Sequence, residues 1–397
     1  MSELRITRTN LSDGRELLYF DEPGTPERTA SDFRDLPRVQ TESWMRRDPL
    51  TGDWAIYAAH RQNRTFLPPA NEDPLAPTRL GQHPSEIPED DYQITVFENR
   101  FPSLSMHLGF AEGHDPYVGG NELFHRAPAL GRCEVVCFTP DADGSFKDLP
   151  LARKRALIDV WAQRTEELEA IDDVALVFPF ENRGEEIGVT LHHPHGQIYS
   201  YPFVPPRAAA IAKQARTHRS SRSTSLFDEI IAAELHAGDR VIADTPHFLV
   251  FTPAAAKWPL EIMVMAKRAV PSFPHLTSEE RDDLAAILDS LFRAVDMFFE
   301  GVERTPYIAA WNQAPAKSPD DGRLHLQLFS LMRSPGRMKY LAGSESGMGV
   351  WVSDTTPESV ASKMRQLCRF GVVGTASPRS WYRCSTYPVL QGVFFHS

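Results

Sequence analysis

The chain of 397 residues carries 42 Lys and Arg against 53 Asp and Glu, a net charge of −11. That acidity argues against a broad basic surface for nucleic acid and leaves room only for a local basic pocket, enough for a small phosphate ester. With 42% hydrophobic and 24% charged residues the composition is that of a globular protein of roughly two to three domains, and no apolar run reaches the roughly 18 residues that span a bilayer.

The opening segment, MSELRITRTNLSDGRELLYF, lacks the continuous apolar stretch of a secretory signal, and residues 1–40 read as polar and irregular. A strand pair is expected from Trp44 to Tyr57, turning at Asp48-Pro49-Leu50-Thr51-Gly52-Asp53. The proline- and acid-rich residues 67–91 read as a surface loop. YQITVFEN and CEVVCFTP read as strands, LARKRALIDVWAQRTEELEAI as a helix, and VALVFPFEN and VTLHHPHGQIYSYPFV as two more strands. Cys133 and Cys137 would lie on one strand face as buried thiols; with Cys368 and Cys384 they are too few and too scattered for a disulfide framework, which points to the cytoplasm.

The second half repeats this style. After a polar segment at 212–225, residues 225–238 look helical, and DRVIADTPHFLVFTP and PLEIMVMAKR look like strands. SEERDDLAAILDSLFRAVDMFFEGV is an amphipathic helix with Thr277 or Ser278 as cap, followed by the strands YIAAWNQAP and RLHLQLFSLMR. Strands, one long helix and two strands thus occur twice, about 150–170 residues apart. The expected fold class is α+β, two tandem related domains with mostly antiparallel sheets and flanking helices, divided as 1–205 and 206–370, with 371–397 an irregular tail.

The residues richest in chemistry are LHHPHGQIY, 191–199. On a strand, alternation puts His193, His195 and Gln197 on one face, converging on one pocket. A neutral imidazole held at one nitrogen attacks phosphorus with the other, and a neighbouring amide donates to phosphoryl oxygens without competing as a base. Two histidines at this spacing also suit zinc, and a turn without chemistry is a third reading.

His193-Pro194-His195-Gly196-Gln197-Ile198-Tyr199 resembles the signature of the galactose-1-phosphate uridylyltransferases, the transferase branch of the histidine-triad superfamily. DPLTGDWAIYAAHRQNR, VFENRFPSL, FENRGEEIGVTLHHPHGQ and RLHLQLFSLMRSPGRMKYLAGSE follow in family order, so the resemblance covers about residues 40 to 365. It implies tandem histidine-triad-like domains and the transfer of a uridylyl group from UDP-glucose to galactose 1-phosphate through a covalent uridylyl-histidine. His195 would be the nucleophile, Gln197 a donor to phosphoryl oxygens in place of a hydrolase's third histidine, and His193 a positioning residue. Phe97 and Asn99 would hold uracil and ribose. Asn182, Gly188, Val189 and Thr190 would line the phosphates, and Arg61 and Arg64 would bind phosphate across the interface of a homodimer. Lys339, Ala342, Ser344 and Glu345 would contact the hexose. A nucleotidyltransferase or adenylyl-transferring phosphorylase with another sugar or base is the alternative within the superfamily, and a regulatory protein on an inactive transferase fold is the alternative outside it.

The chain departs from the resemblance at two metal sites. The family's zinc uses a Cys-x-x-Cys pair, a later histidine and the first His of His-Pro-His. Here the pair reads Asp73-Pro74-Leu75-Ala76 and the later position Thr139-Pro140-Asp141-Ala142, so His193 remains with at most an oxygen of Asp73. The second site, iron or zinc in some relatives, keeps His325 but has Asn312 in place of a histidine, with Arg323 a candidate to replace the metal's charge. Both sites are expected to be lost, and no cofactor is needed for the chemistry. His192 has no assigned role.

Overall fold

The computed structural model describes residues 4–63, 67–69, 72–109 and 113–370. Arg64 and the tail at 371–397 lie outside them. The strands of the large sheet and its helices run β1 (Arg5–Asn10), β2 (Glu16–Asp21), β5 (Ile94–Glu98), β7 (Arg132–Cys137), α1 (Leu151–Glu169), β8 (Leu176–Arg183), β9 (His195–Tyr201), α2 (Pro206–Arg222), α3 (Leu226–Ala237), β10 (Val241–Asp244), β11 (Phe248–Phe251), β12 (Leu260–Ala266), α4 (Ser278–Met297), β13 (Tyr307–Asn312) and β14 (His325–Ser330). Between β2 and β7 lie β3 (Trp44–Arg47), β4 (Trp54–Tyr57) and β6 (Arg126–Pro128), a separate small sheet; α5 (Gly343–Met348) and α6 (Pro357–Phe370) end the described chain.

Eleven strands form one sheet, in the order β1-β2-β5-β7-β9-β8-β13-β14-β12-β11-β10, with every neighbouring pair antiparallel. The order is symmetric about the β8–β13 junction. The unit β7-α1-β8-β9 on one side recurs as β12-α4-β13-β14 on the other, which bears out the α+β class and the mostly antiparallel sheet. One sheet face is covered by α1 and α4, where Trp161, Phe146, Phe292, Phe273 and Trp311 pack ring against ring and Leu157, Leu284, Leu288 and Leu291 are buried. Burying such aromatic and aliphatic side chains stabilises the fold by about 1.5–3 kcal/mol each. Of the two candidate caps Thr277 is the one used, in a capping box with Glu280.

Two segments differ from the sequence expectation. Residues 1–40 are not all irregular: β1 and β2 form a hairpin at the sheet edge, turning through Gly14 at φ +89°. ELLYFD is buried almost throughout, because β2 lies between β1 and β5 and both its faces are covered. The polar segment 212–225 lies mostly in α2, whose only fully buried residues are Ala212 and Ala215; a helix so polar gives no periodic signal.

Candidate active site

Along β9 burial alternates strictly. Gly196, Ile198 and Ser200 point into the interior, while His195, Gln197, Tyr199 and Tyr201 are part-exposed on the other face. Gly196 is required on the inner side, since a Cβ there would lie 2.9 Å from Phe138 Cζ and 3.1 Å from the Phe180 carbonyl oxygen. The outer face looks into a cleft of about 710 Å³.

This cleft gathers His195, Gln197, Arg61, Phe97, Asn99, Asn182, Gly188, Val189, Thr190 and Asp73, residues from six separate stretches of chain. Phe97 is 2% exposed and belongs to the core as well as to the cleft floor. Asn99 Oδ1 accepts from Phe101 N at 2.8 Å, which fixes the turn after β5, and Arg61 donates to the Phe101 carbonyl at 2.7 Å. Gly188 sits at φ +80° in the turn that carries the phosphate-loop candidates Val189 and Thr190, a conformation that disfavours a side chain. The loop at 67–91, expected to lie at the surface, forms a wall of the cleft through Glu72 to Leu75 and His83 to Glu86. Arg15 and Arg34 anchor that wall on Glu86. Burial alone would raise the Glu86 carboxyl, but the two guanidinium groups hold it below the usual carboxylate range.

His195 Nδ1 lies 2.7 Å from the carbonyl oxygen of His193. A carbonyl only accepts, so Nδ1 carries the hydrogen and Nε2 keeps a lone pair. Burial, outweighing that hydrogen bond, lowers the imidazole's pKa below its ordinary 6.5 and favours the neutral ring.

His193 is buried and does not open onto the cleft. Pro194 has no N–H to give the ladder, and β9 begins only at His195. The His193 ring is buried, with Nδ1 2.6 Å from Asp73 Oδ2 and Nε2 2.7 Å from the Thr139 carbonyl oxygen and 2.9 Å from Tyr92 Oη. His192 pairs with Glu185 at 3.3 Å on the exposed side of the loop. Sequence reasoning missed Tyr92, which precedes β5, and Tyr199, which period-two alternation from Gln197 would have found.

The residues at the first metal position do not fit a zinc. A tetrahedral ion with Zn–N of about 2.0 Å and Zn–O of about 2.1 Å would hold its ligand atoms about 3.3 Å apart. Both His193 nitrogens instead sit at direct hydrogen-bonding distance from oxygens, and Ala76 offers no donor. At the second position His325 Nδ1 is 2.8 Å from the Arg323 carbonyl oxygen. The Arg323 guanidinium turns away to Asp228 at 2.7 Å and over the Phe227 ring, so the suggestion that it stands in for a metal there is corrected. Among the described residues no three His, Cys, Asp or Glu side chains cluster as a metal site.

Lys339, Ala342, Ser344 and Glu345 lie apart from the cleft. Lys339 Nζ is 3.2 Å from Glu345 Oε1 and 2.5 Å from the Val352 carbonyl oxygen, and Glu345 closes the N-terminus of α5 by accepting from Ala342 N at 3.2 Å. No described helix is long and apolar enough to cross a membrane.

Comparison with known proteins follows the same lines. The family models described as galactose-1-phosphate uridyl transferase, N-terminal domain and C-terminal domain, match residues 34–205 and 211–370. A galactose-1-phosphate uridylyltransferase of Streptomyces lividans is 40% identical over 92% of this chain and 98% of its own length; one of Thermotoga maritima is 31% identical over 81% and 98%. A solved uridylyltransferase superposes with a TM-score of 0.72 at 28% identity, over 83% of this chain and 99% of that one. An ADP-glucose phosphorylase of Arabidopsis thaliana shares the fold, with a TM-score of 0.60 at 21% identity, over 82% of this chain and 99% of that one. The chain belongs to the galactose-1-phosphate uridylyltransferase family and is an enzyme of uridylyl transfer.

Proposed function

We propose that this enzyme moves a uridylyl group from UDP-glucose to galactose 1-phosphate in two displacements at His195. Nε2 attacks the α-phosphorus, forming a P–N bond as the bond to the bridging oxygen breaks and glucose 1-phosphate leaves with the electron pair. A phosphate oxygen of galactose 1-phosphate then attacks the same phosphorus, the P–N bond breaks, and neutral His195 returns with UDP-galactose. Gln197 donates to the non-bridging oxygens, and it has no acidic hydrogen with which to assist hydrolysis. The observation that carries this reading is the bond from His195 Nδ1 to the His193 carbonyl, which leaves one imidazole nitrogen on a cleft lined by Gln197 and Asn182.

Phe97 and Asn99 as the uracil and ribose contacts, Asn182 with residues 188–190 along the phosphates, and Arg61 with Arg64 as phosphate binders belong to this proposal. The hexose role of Lys339, Ala342, Ser344 and Glu345 requires a second copy of the chain, since none of them lines the cleft of its own copy; a cytoplasmic homodimer is therefore part of the reading. The two-domain division at 205/206 is supported by the limits of the family models, although one sheet runs through both halves.

The test is incubation with UDP-glucose alone, followed by mass spectrometry of the intact protein. The expected product is a uridylyl adduct at His195, discharged by galactose 1-phosphate and absent from His195→Gly. An adduct formed from ADP-glucose and not from UDP-glucose would instead select the adenylyl-transferring alternative.

A further inference from the structure

Three stretches far apart in sequence meet behind the nucleophile: the cleft wall at Asp73 to Leu75, the residue after β7 and Phe138 at Thr139, and the turn before β9 at His193. At their meeting point lies the phenol of Tyr92, 1% exposed. Its Oη is 3.0 Å from the Leu75 carbonyl oxygen, 2.5 Å from that of Thr139 and 2.9 Å from His193 Nε2. Asp73 completes the ring of contacts, with Oδ2 at 2.6 Å from His193 Nδ1 and Oδ1 accepting from Leu75 N at 2.9 Å. These are the stretches that the resemblance would tie together with a zinc ion, and their residues do not fit one.

We propose that a metal-free hydrogen-bonded knot of Asp73, Tyr92, Thr139 and His193 positions the nucleophile, with Tyr92 and Asp73 as positioning residues for His195. The coupling is short. The knot fixes the His193 ring from both nitrogens, and with it the backbone from which the His193 carbonyl projects. That carbonyl accepts from His195 Nδ1 at 2.7 Å and so decides which His195 nitrogen is left free. A groove-facing imidazole without this anchor would sample the other tautomer and other ring orientations, and attack on phosphorus would slow. Tyr92 does not line the cleft, so it acts through His193 and not on substrate.

This proposal rests on the reading of His195 as the nucleophile, and its test separates the two. Full-length wild type and Tyr92→Phe are compared for kcat and KM with UDP-glucose and galactose 1-phosphate, with and without chelator, alongside elemental analysis and a thermal unfolding check. The expected result is a kcat lowered about tenfold or more in Tyr92→Phe, the range in which loss of an orienting partner is felt. KM for UDP-glucose should be unchanged, metal substoichiometric, and chelator without effect. Asp73→Ala should lower kcat in the same way, and Asp73→Asn, which keeps an acceptor for His193 Nδ1, should recover much of it. Wild-type kcat in Tyr92→Phe, a parallel change of KM and kcat, or one equivalent of metal whose removal abolishes turnover would overturn the knot. Failure of wild type to form any adduct with UDP-glucose overturns the function reading instead, while the metal content still decides the knot.

Discussion

The free nitrogen of His195 is set by a carbonyl two residues upstream, so the chemistry of the pocket depends on a backbone atom outside it. Because burial lowers the imidazole's pKa, the ring that must attack as a neutral base stays neutral past the point where an exposed histidine would protonate. The single-turnover rate of adduct formation should therefore reach half its plateau only at a pH below the ordinary histidine value of 6.5. A rate already halved at 6.5 would contradict the neutral nucleophile. At this scale much of the cleft was legible. Ten of its residues follow from motif and resemblance, because neighbours on one strand or one loop leave a local signature. Tyr92 left none. Its partner His193 is 101 residues away, and a tyrosine before a strand looks like any core aromatic.

Strand alternation reads correctly from His195 onward, while His193, ahead of the strand's first residue, is buried against Asp73 and Tyr92 and does not open onto the cleft. One limit explains the missed hairpin of β1 and β2 and the missed helix α2: pattern reading needs one buried and one wet face. ELLYFD has two buried faces and α2 nearly none. Helix α4 has one of each, and its start was legible to within one residue, Thr277 and not Ser278 being the cap. Its cap is reciprocal, with Thr277 Oγ1 accepting from Glu280 N at 3.2 Å and Glu280 Oε2 accepting from Thr277 N at 2.8 Å. Thr277→Ala should cost about 1 kcal/mol in urea unfolding. Adduct formation should be untouched, because α4 covers the sheet face opposite the cleft.

Across the whole molecule the junction of the two halves is a strand pair, β8 on β13, and not a linker. Buried in that seam, Tyr307 Oη donates to Glu181 Oε1 at 2.8 Å. Burial raises the Glu181 carboxyl from 4.5 to about 7. The folded chain then holds this proton more tightly than the unfolded one. Its contribution is complete below pH 4.5 and is lost as pH rises through about 7, an effect of about 3 kcal/mol at full ionisation. Glu181→Gln keeps an acceptor for Tyr307 and cannot ionise. Its unfolding free energy should flatten between pH 4.5 and 7 and exceed that of wild type at pH 8; parallel curves for the two proteins would rule out the protonated seam. Sequence alone suggested two domains, since repeated patterns are visible along a chain while the pairing of one repeat with the other is not.

The symmetry about that seam carries one more consequence. Asn312 pairs in register with His325, Gln327 follows two residues on, and His325 Nδ1 meets a carbonyl oxygen two residues upstream, as His195 does. Asn182, His195 and Gln197 thus have a near-copy in the other half. The copy is sealed: His325 is 3% exposed, Gln327 is spent on Glu261 at 2.6 Å, and the space beside Asn312 and His325 is about 10 Å³. One protein therefore contains both an experiment and its blank. An oriented imidazole with an amide at its side is present twice, and only where the neighbouring loops stand back is there room for a phosphorus atom to arrive.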